Sequence, residues 1–123
     1  MRALVIDDSK AIRLILGQIL KELGFEVFEA GNGVDALDRL KSAGPLDLAL
    51  VDWNMPEMNG FDFVRAVRKE DQYKDMRMMM VTTETEMAQV VRALEAGANE
   101  YVMKPFTKEM ILEKLTLMGI SVS

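Results

Sequence analysis

Apolar residues along the chain follow two alternating patterns. Short continuous runs are each followed by a stretch in which apolar positions recur at every third or fourth residue. Ala3–Ile6 is the first run and predicts a strand over Arg2–Asp7. Ile12, Ile15, Leu16, Ile19 and Leu23 then fall at helical spacing, with Arg13, Gln18, Lys21 and Glu22 opposite, Ser9 available as cap and Gly24 as the stop. Phe25–Ala30 predicts a second strand, Gly31-Asn32-Gly33 a turn, and Val34, Leu37 and Leu40 a short helix that ends before Gly44-Pro45. Leu46–Val51 is apolar except for Asp47 and runs onto Asp52. That is the signature of a strand buried on both faces, as in the middle of a parallel sheet. Pro56 and Asn59-Gly60 mark a loop.

Phe61, Val64 and Val67 predict a third helix to about Glu70, and Met76–Val81 a fourth strand ending on Thr82. Met87, Val90, Val91 and Leu94 predict a fourth helix closed by Gly97, and Tyr101–Met103 a short fifth strand before Lys104-Pro105. Thr107 can cap a last helix carrying Met110, Ile111, Leu115 and Met118. The whole is an α/β domain with strand and helix alternating five times, which implies a doubly wound parallel sheet with right-handed crossovers. The chain of 123 residues is expected to form a single domain, and the eleven methionines to serve as packing.

Composition narrows the chemistry. A net charge of −5 argues against nucleic acid or anionic membrane as a partner, and no segment approaches membrane-spanning length. The absence of Cys excludes disulfides and thiolate chemistry and makes the cytoplasm the expected location. The absence of His removes Ser-His-Asp catalysis and imidazole ligation, so any metal must be held by oxygen and any covalent step must use Asp, Glu, Ser, Thr, Lys or Tyr.

In a parallel sheet of this kind all strand C-termini share one edge, where ligands bind. The residues placed there are Asp7, Asp8, Asp52, Thr82 and Lys104. The carboxylates would repel one another without a cation, and an oxygen-only set that can keep waters and accept phosphate oxygens fits Mg²⁺. Lys104 supplies a point charge, and Thr82 a hydroxyl, suited to a phosphoryl group. The backbone N–H of Thr83, next along, is expected to point at the same group. Each residue also has an ordinary structural role: Asp8 could cap a helix in competition with Ser9, Thr82 suits a strand, and Lys104 could snorkel. Thr83 with Glu86 spells a capping box. Asp52 alone has no nearby helix start to cap. Five such residues gathered from four strand ends favour a shared chemical purpose.

With VIDDS at the first strand end, DWNMPEMNG at the third, MVTTE at the fourth and YVMKPFT at the fifth, essentially the whole chain resembles the response-regulator receiver domains, CheY-like and of the chemotaxis type. DWNMP, Ala96-Gly97-Ala98 and KPFT carry the chemotaxis flavour. The resemblance implies a flavodoxin-like fold with strand order 2-1-3-4-5. It makes Asp52 the phosphoacceptor, and places Mg²⁺ on Asp7, Asp8, Asp52 and the backbone carbonyl of Asn54. It further implies phosphoryl binding by Thr82 and Lys104, a cis Lys104–Pro105 bond, and Tyr101 as switch aromatic paired with Thr82. The donor would be a histidine kinase. The output would be a downstream protein target bound through the fourth helix, fifth strand and fifth helix, with a flagellar switch among the candidates. A stand-alone receiver over 1–123 with no output domain, monomeric or weakly dimeric, is expected.

Two departures stand out: Thr83, where a smaller residue is commoner, and the acidic stretch Glu84–Met87. The rival readings are a haloacid-dehalogenase-type phosphohydrolase, a receiver-like module that has lost phosphorylation, and a phosphorelay shuttle outside chemotaxis. The phosphohydrolases carry their nucleophile in a DxD loop after the first strand, whereas Asp7-Asp8 are adjacent here.

Overall fold

The computed structural model describes residues 1–44, 46–55, 57–83 and 88–121. Five strands, β1 (Arg2–Ile6), β2 (Glu26–Ala30), β3 (Leu48–Asp52), β4 (Arg77–Thr82) and β5 (Glu100–Met103), form one parallel sheet in the order β2-β1-β3-β4-β5. The connecting helices are α1 (Lys10–Glu22), α2 (Gly33–Ala43), α3 (Gly60–Arg68), α4 (Val90–Ala96) and α5 (Lys108–Leu117). The α/β alternation and the expected strand order are both present.

Side chains of a strand point alternately to opposite faces, so a strand buried on both faces must be apolar throughout. All five residues of β3 are buried. Leu48 and Leu50 face one core with Leu16, Leu20, Met79, Val81, Ile111 and Leu115, against α1 and α5. Ala49 and Val51 face the other with Leu40, Phe63, Val67, Met78 and Met80, against α2, α3 and α4. Met78, Met79 and Met80 are all fully buried, which supports the packing role expected of these methionines; each contributes about 1.5–3 kcal/mol by burial.

Local chemistry sets the helix starts. Ser9, Asn32, Asn59 and Thr107 each accept a hydrogen bond from the N–H three residues on. The third helix begins at Gly60, where the helical pattern is expected to start, and Asn59 at the end of the loop is its cap. Three expectations shift. The third helix stops at Arg68, and a separate 3₁₀ turn follows at Asp71–Tyr73, where Tyr73 is buried. Ile15, assigned to the apolar face of α1, is exposed, because the buried stripe is carried by Leu16 and Leu20. Val34, Val91, Leu94 and Met110 are likewise exposed, since each of their helices buries only a narrow stripe. The reading of Met87 as part of the fourth helix, the Glu84–Met87 stretch, Pro56 and the Glu86 half of the capping box lie outside the described residues.

A half-buried guanidinium ties several loops together. Arg68 donates to the carbonyls of Gly97 (2.9 Å), Tyr73 (2.8 Å) and Met76 (2.7 Å) and to Asn99 Oδ1 (2.9 Å). Gly97 takes a left-handed conformation (φ 124°), and a side chain there would collide with Arg68 Cγ, so this glycine does more than stop a helix.

Candidate phosphoryl and metal site at the sheet edge

Register explains why two distant aspartates meet. Ile6 of β1 lies opposite Val51 of β3, so one step further Asp7 and Asp52 leave adjacent strands on the same face. Both are buried, and Asp8 beside them is exposed. One carboxylate oxygen from each of Asp7, Asp8 and Asp52 falls within 4.8 Å of the others.

Asp7 is held on three sides. Its Oδ1 accepts from the Ser9 N–H (2.8 Å), and its carbonyl accepts from Arg13 Nη1 (2.6 Å). Arg13 is itself braced by Glu29 (3.1 Å). Ser9 caps α1, which leaves the Asp8 side chain out of that role. The remaining oxygen of Asp7, Oδ2, is buried, has no hydrogen-bond partner among the described residues and lies 3.6 Å from Lys104 Nζ.

Lys104 also reaches Asp52, with Nζ 3.2 Å from Oδ1. It comes from the loop after β5, where its backbone N–H donates to the Thr82 carbonyl (2.7 Å) and the Lys104–Pro105 peptide is cis. Thr82, buried at the end of β4, donates its hydroxyl to the Thr83 carbonyl (3.3 Å). Thr83 is half-buried beside it, and Asn54 is exposed two residues after Asp52. Tyr101 is half-buried on β5, with Lys114 Nζ 4.6 Å from its ring centre.

Burial pushes the Asp52 carboxyl up to about 6, helped by the Asp7 charge and opposed by Lys104. Burial also raises Asp7, partly offset by the Ser9 N–H and by Lys104. A single ammonium thus leaves two crowded carboxylates undercompensated. Together with the unsatisfied Asp7 Oδ2 and an all-oxygen donor set, this fits a hard divalent cation among Asp7, Asp8 and Asp52.

A pattern of alternating strands and helices does not disclose two supporting residues. Arg13 stands on the polar side of α1 in sequence, and only the β1–α1 geometry turns it onto the Asp7 carbonyl. Gly60 donates its N–H to the Trp53 carbonyl (2.9 Å), and a Cβ there would lie 2.8 Å from the Asp52 carbonyl oxygen. The glycine signal was visible, but its partner was not.

The response regulator receiver domain model matches residues 3–116. The chain belongs to that family. It is 45% identical over 116 residues to the chemotaxis protein CheY1 of Helicobacter pylori, covering 94% of each chain. It is 47% identical to the CheY homolog of Campylobacter jejuni, covering 94% of this chain and 89% of that one. Among solved structures, Vibrio cholerae CheY4 superposes with a TM-score of 0.87 at 38% identity, covering 95% of this chain and 97% of the other. This receiver is therefore of the chemotaxis response-regulator type, a switch of two-component signalling and not a classical enzyme. That membership sets the phosphohydrolase reading aside. No described helix of this receiver is long and apolar enough to cross a membrane.

Proposed function

We propose that this receiver accepts a phosphoryl group on Asp52 from a phosphohistidine of a separate histidine kinase and signals by changing its affinity for a downstream protein. The observation that carries this reading is the convergence of Asp7, Asp8 and Asp52 on one point with Lys104 Nζ 3.2 Å from Asp52. In the transfer, an Asp52 carboxylate oxygen attacks phosphorus, the P–N bond breaks, and the donor imidazole leaves and takes up a proton. Hydrolysis replaces the attacker with water, cleaves the new P–O bond and returns Asp52 and inorganic phosphate. Slow self-catalysed phosphorylation and dephosphorylation of this kind are the only chemistry assigned to the chain.

Asp7, Asp8 and Asp52, with the Asn54 carbonyl, would hold Mg²⁺, which supplies neutralisation of the charge that accumulates during transfer. Lys104, Thr82 and the Thr83 N–H would bind the phosphoryl oxygens. Lys104 already spans Asp52 and Asp7, so it offsets their charge before any donor arrives. The donor's approach is bordered by an apolar cleft of about 390 Å³ formed by Ile12, Ile15, Pro105 and Phe106 beside Lys104. Exposed Ile15 suits it to a protein donor.

When the Thr82 hydroxyl turns from the Thr83 carbonyl to the phosphoryl group, Tyr101 would move inward and alter the face of α4, β5 and α5. The two states need differ by only a few kcal/mol. The kinship supports a chemotaxis or motility pathway and is consistent with a cytoplasmic location. The flagellar switch is the target this kinship favours over a relay partner.

Labelling with acetyl phosphate tests the assignment. Asp52 should be modified, only with a divalent cation present, and Asp52→Asn should remove all label. Stoichiometric label elsewhere in that variant would refute it.

A further inference from the structure

We propose that the cleft between α3 and α4 docks an acidic peptide segment of a partner protein. It has a volume of about 420 Å³, and four of the chain's fifteen basic residues line it, although the protein carries a net charge of −5. Arg68 is occupied by the carbonyls that it binds. Arg65, Lys69 and Arg92 are exposed, and none forms an ion pair with a described residue.

Arg65, one turn along α3 from Phe61, and Arg92, from α4, place their guanidinium groups over the same ring, 5.6 and 4.7 Å from the Phe61 centroid. Such stacking orients both planar donors while leaving their edges for carboxylates. Arg65 and Lys69 stand one helical turn apart, about 6 Å. That spacing matches acidic side chains one turn apart on a helix, or on the same side of an extended strand at roughly 6.6 Å.

A small phosphorylated ligand fits less well. Lys69 stands a helical turn away from the Arg65–Arg92 pair, Glu95 adds a negative charge to the lining, and Phe61 is already covered by guanidinium groups, which leaves a nucleobase little to stack on. The cleft also touches the carboxylate edge. Phe61 lies 6.2 Å from the ring of Trp53, which directly follows Asp52, so an occupant that shifts the two arginines perturbs Trp53.

The test uses the whole, unphosphorylated chain, so it stands apart from the phosphoacceptor assignment. A short fluorescein-labelled peptide of repeating Glu-Leu-Glu-Ala, its Gln-substituted counterpart and ATP are titrated by anisotropy at low salt, with amide chemical shifts followed in parallel. The acidic peptide should bind saturably, weaken as salt rises, shift amides of α3 and α4, and change Trp53 emission. Arg65→Ala with Arg92→Ala should weaken it roughly tenfold or more. Glu95→Gln should tighten it about twofold. Phe61→Leu should retain peptide binding and lose the Trp53 response. Equal affinity in the doubly substituted variant, shifts confined to other elements, no binding of the acidic peptide, or binding of ATP in its place would each overturn the proposal.

Discussion

Lys104 Nζ lies 3.2 Å from Asp52 Oδ1, and this hydrogen bond joins the end of β5 to the end of β3 across the intervening β4. The ion pair only partly offsets burial, since Asp52 still has its pKa raised to about 6. Folding therefore favours the protonated carboxyl. Its contribution to stability is fully present below about pH 4 and lost as pH rises past about 6. Metal-free protein should thus lose stability through this window. Asp52→Asn, which cannot ionise, should be the more stable form at pH 7.5 by about 2 kcal/mol, with the gap closing towards pH 4. Melting curves of both proteins in chelator across that range check it. A constant difference at all pH values would mean that Asp52 titrates normally.

Magnesium should reverse that penalty. Mg²⁺ is expected to raise the melting temperature and, with beryllofluoride added next as a phosphoryl stand-in, to change Trp53 emission in saturable steps. Asp7→Ala and Asp8→Ala should weaken the Mg²⁺ step. Titrations that match wild type in both variants would remove these carboxylates as ligands.

Thr83 is half-buried next to the hydroxyl of Thr82. If its methyl and hydroxyl narrow the in-line path to Asp52, Thr83→Ala should speed both phosphorylation by small donors and loss of the phosphoryl group, at unchanged Mg²⁺ affinity. If Thr83 serves only as a cap, the variant would instead melt lower by about 1 kcal/mol with unaltered rates. The two rates and one melting curve separate these results.

Gly60 allows the start of α3 to press on the Asp52 carbonyl. Gly60→Ala adds a methyl where Met80 and that carbonyl leave no space, and should destabilise the fold by about 1–3 kcal/mol. It should also slow labelling of Asp52 by displacing β3's last residue. An alanine variant that melts and labels like wild type would show that the loop adjusts freely.

Much of this was readable from residue order, because β1, β3, β4 and β5 end where apolar residues give way to Asp, Thr or Lys, β2 ends at Gly31-Asn32-Gly33, and helical spacing resumes a few residues later. Strand order came through the kinship of the quoted motifs, since alternation alone permits several orders. Asn59-Gly60 marks both the end of a loop and the start of α3, because a helix cap and a turn use the same residue types. The exposed Ile15, Val91 and Leu94 were unreadable for another reason: apolar periodicity identifies a helix but not how much of its stripe a neighbour covers. The bond from Arg13 to the Asp7 carbonyl depends on a crossing that sequence does not record.

The guanidinium of Arg68 makes a fulcrum. By fastening Gly97 to the turn around Tyr73 and Met76, it pins the Ala96 end of α4. The lever so formed is about 10 Å long, and a tilt of roughly 10° about its pinned end carries the Val90 end by about 2 Å and the Ala96 end hardly at all. Arg68→Lys, with a single donor head, would loosen the pivot. Spin labels at Val91 and Glu95 should then record displacements of similar size on addition of beryllofluoride, where wild type concentrates the change at Val91; equal displacements in wild type would show that α4 does not swing from that end.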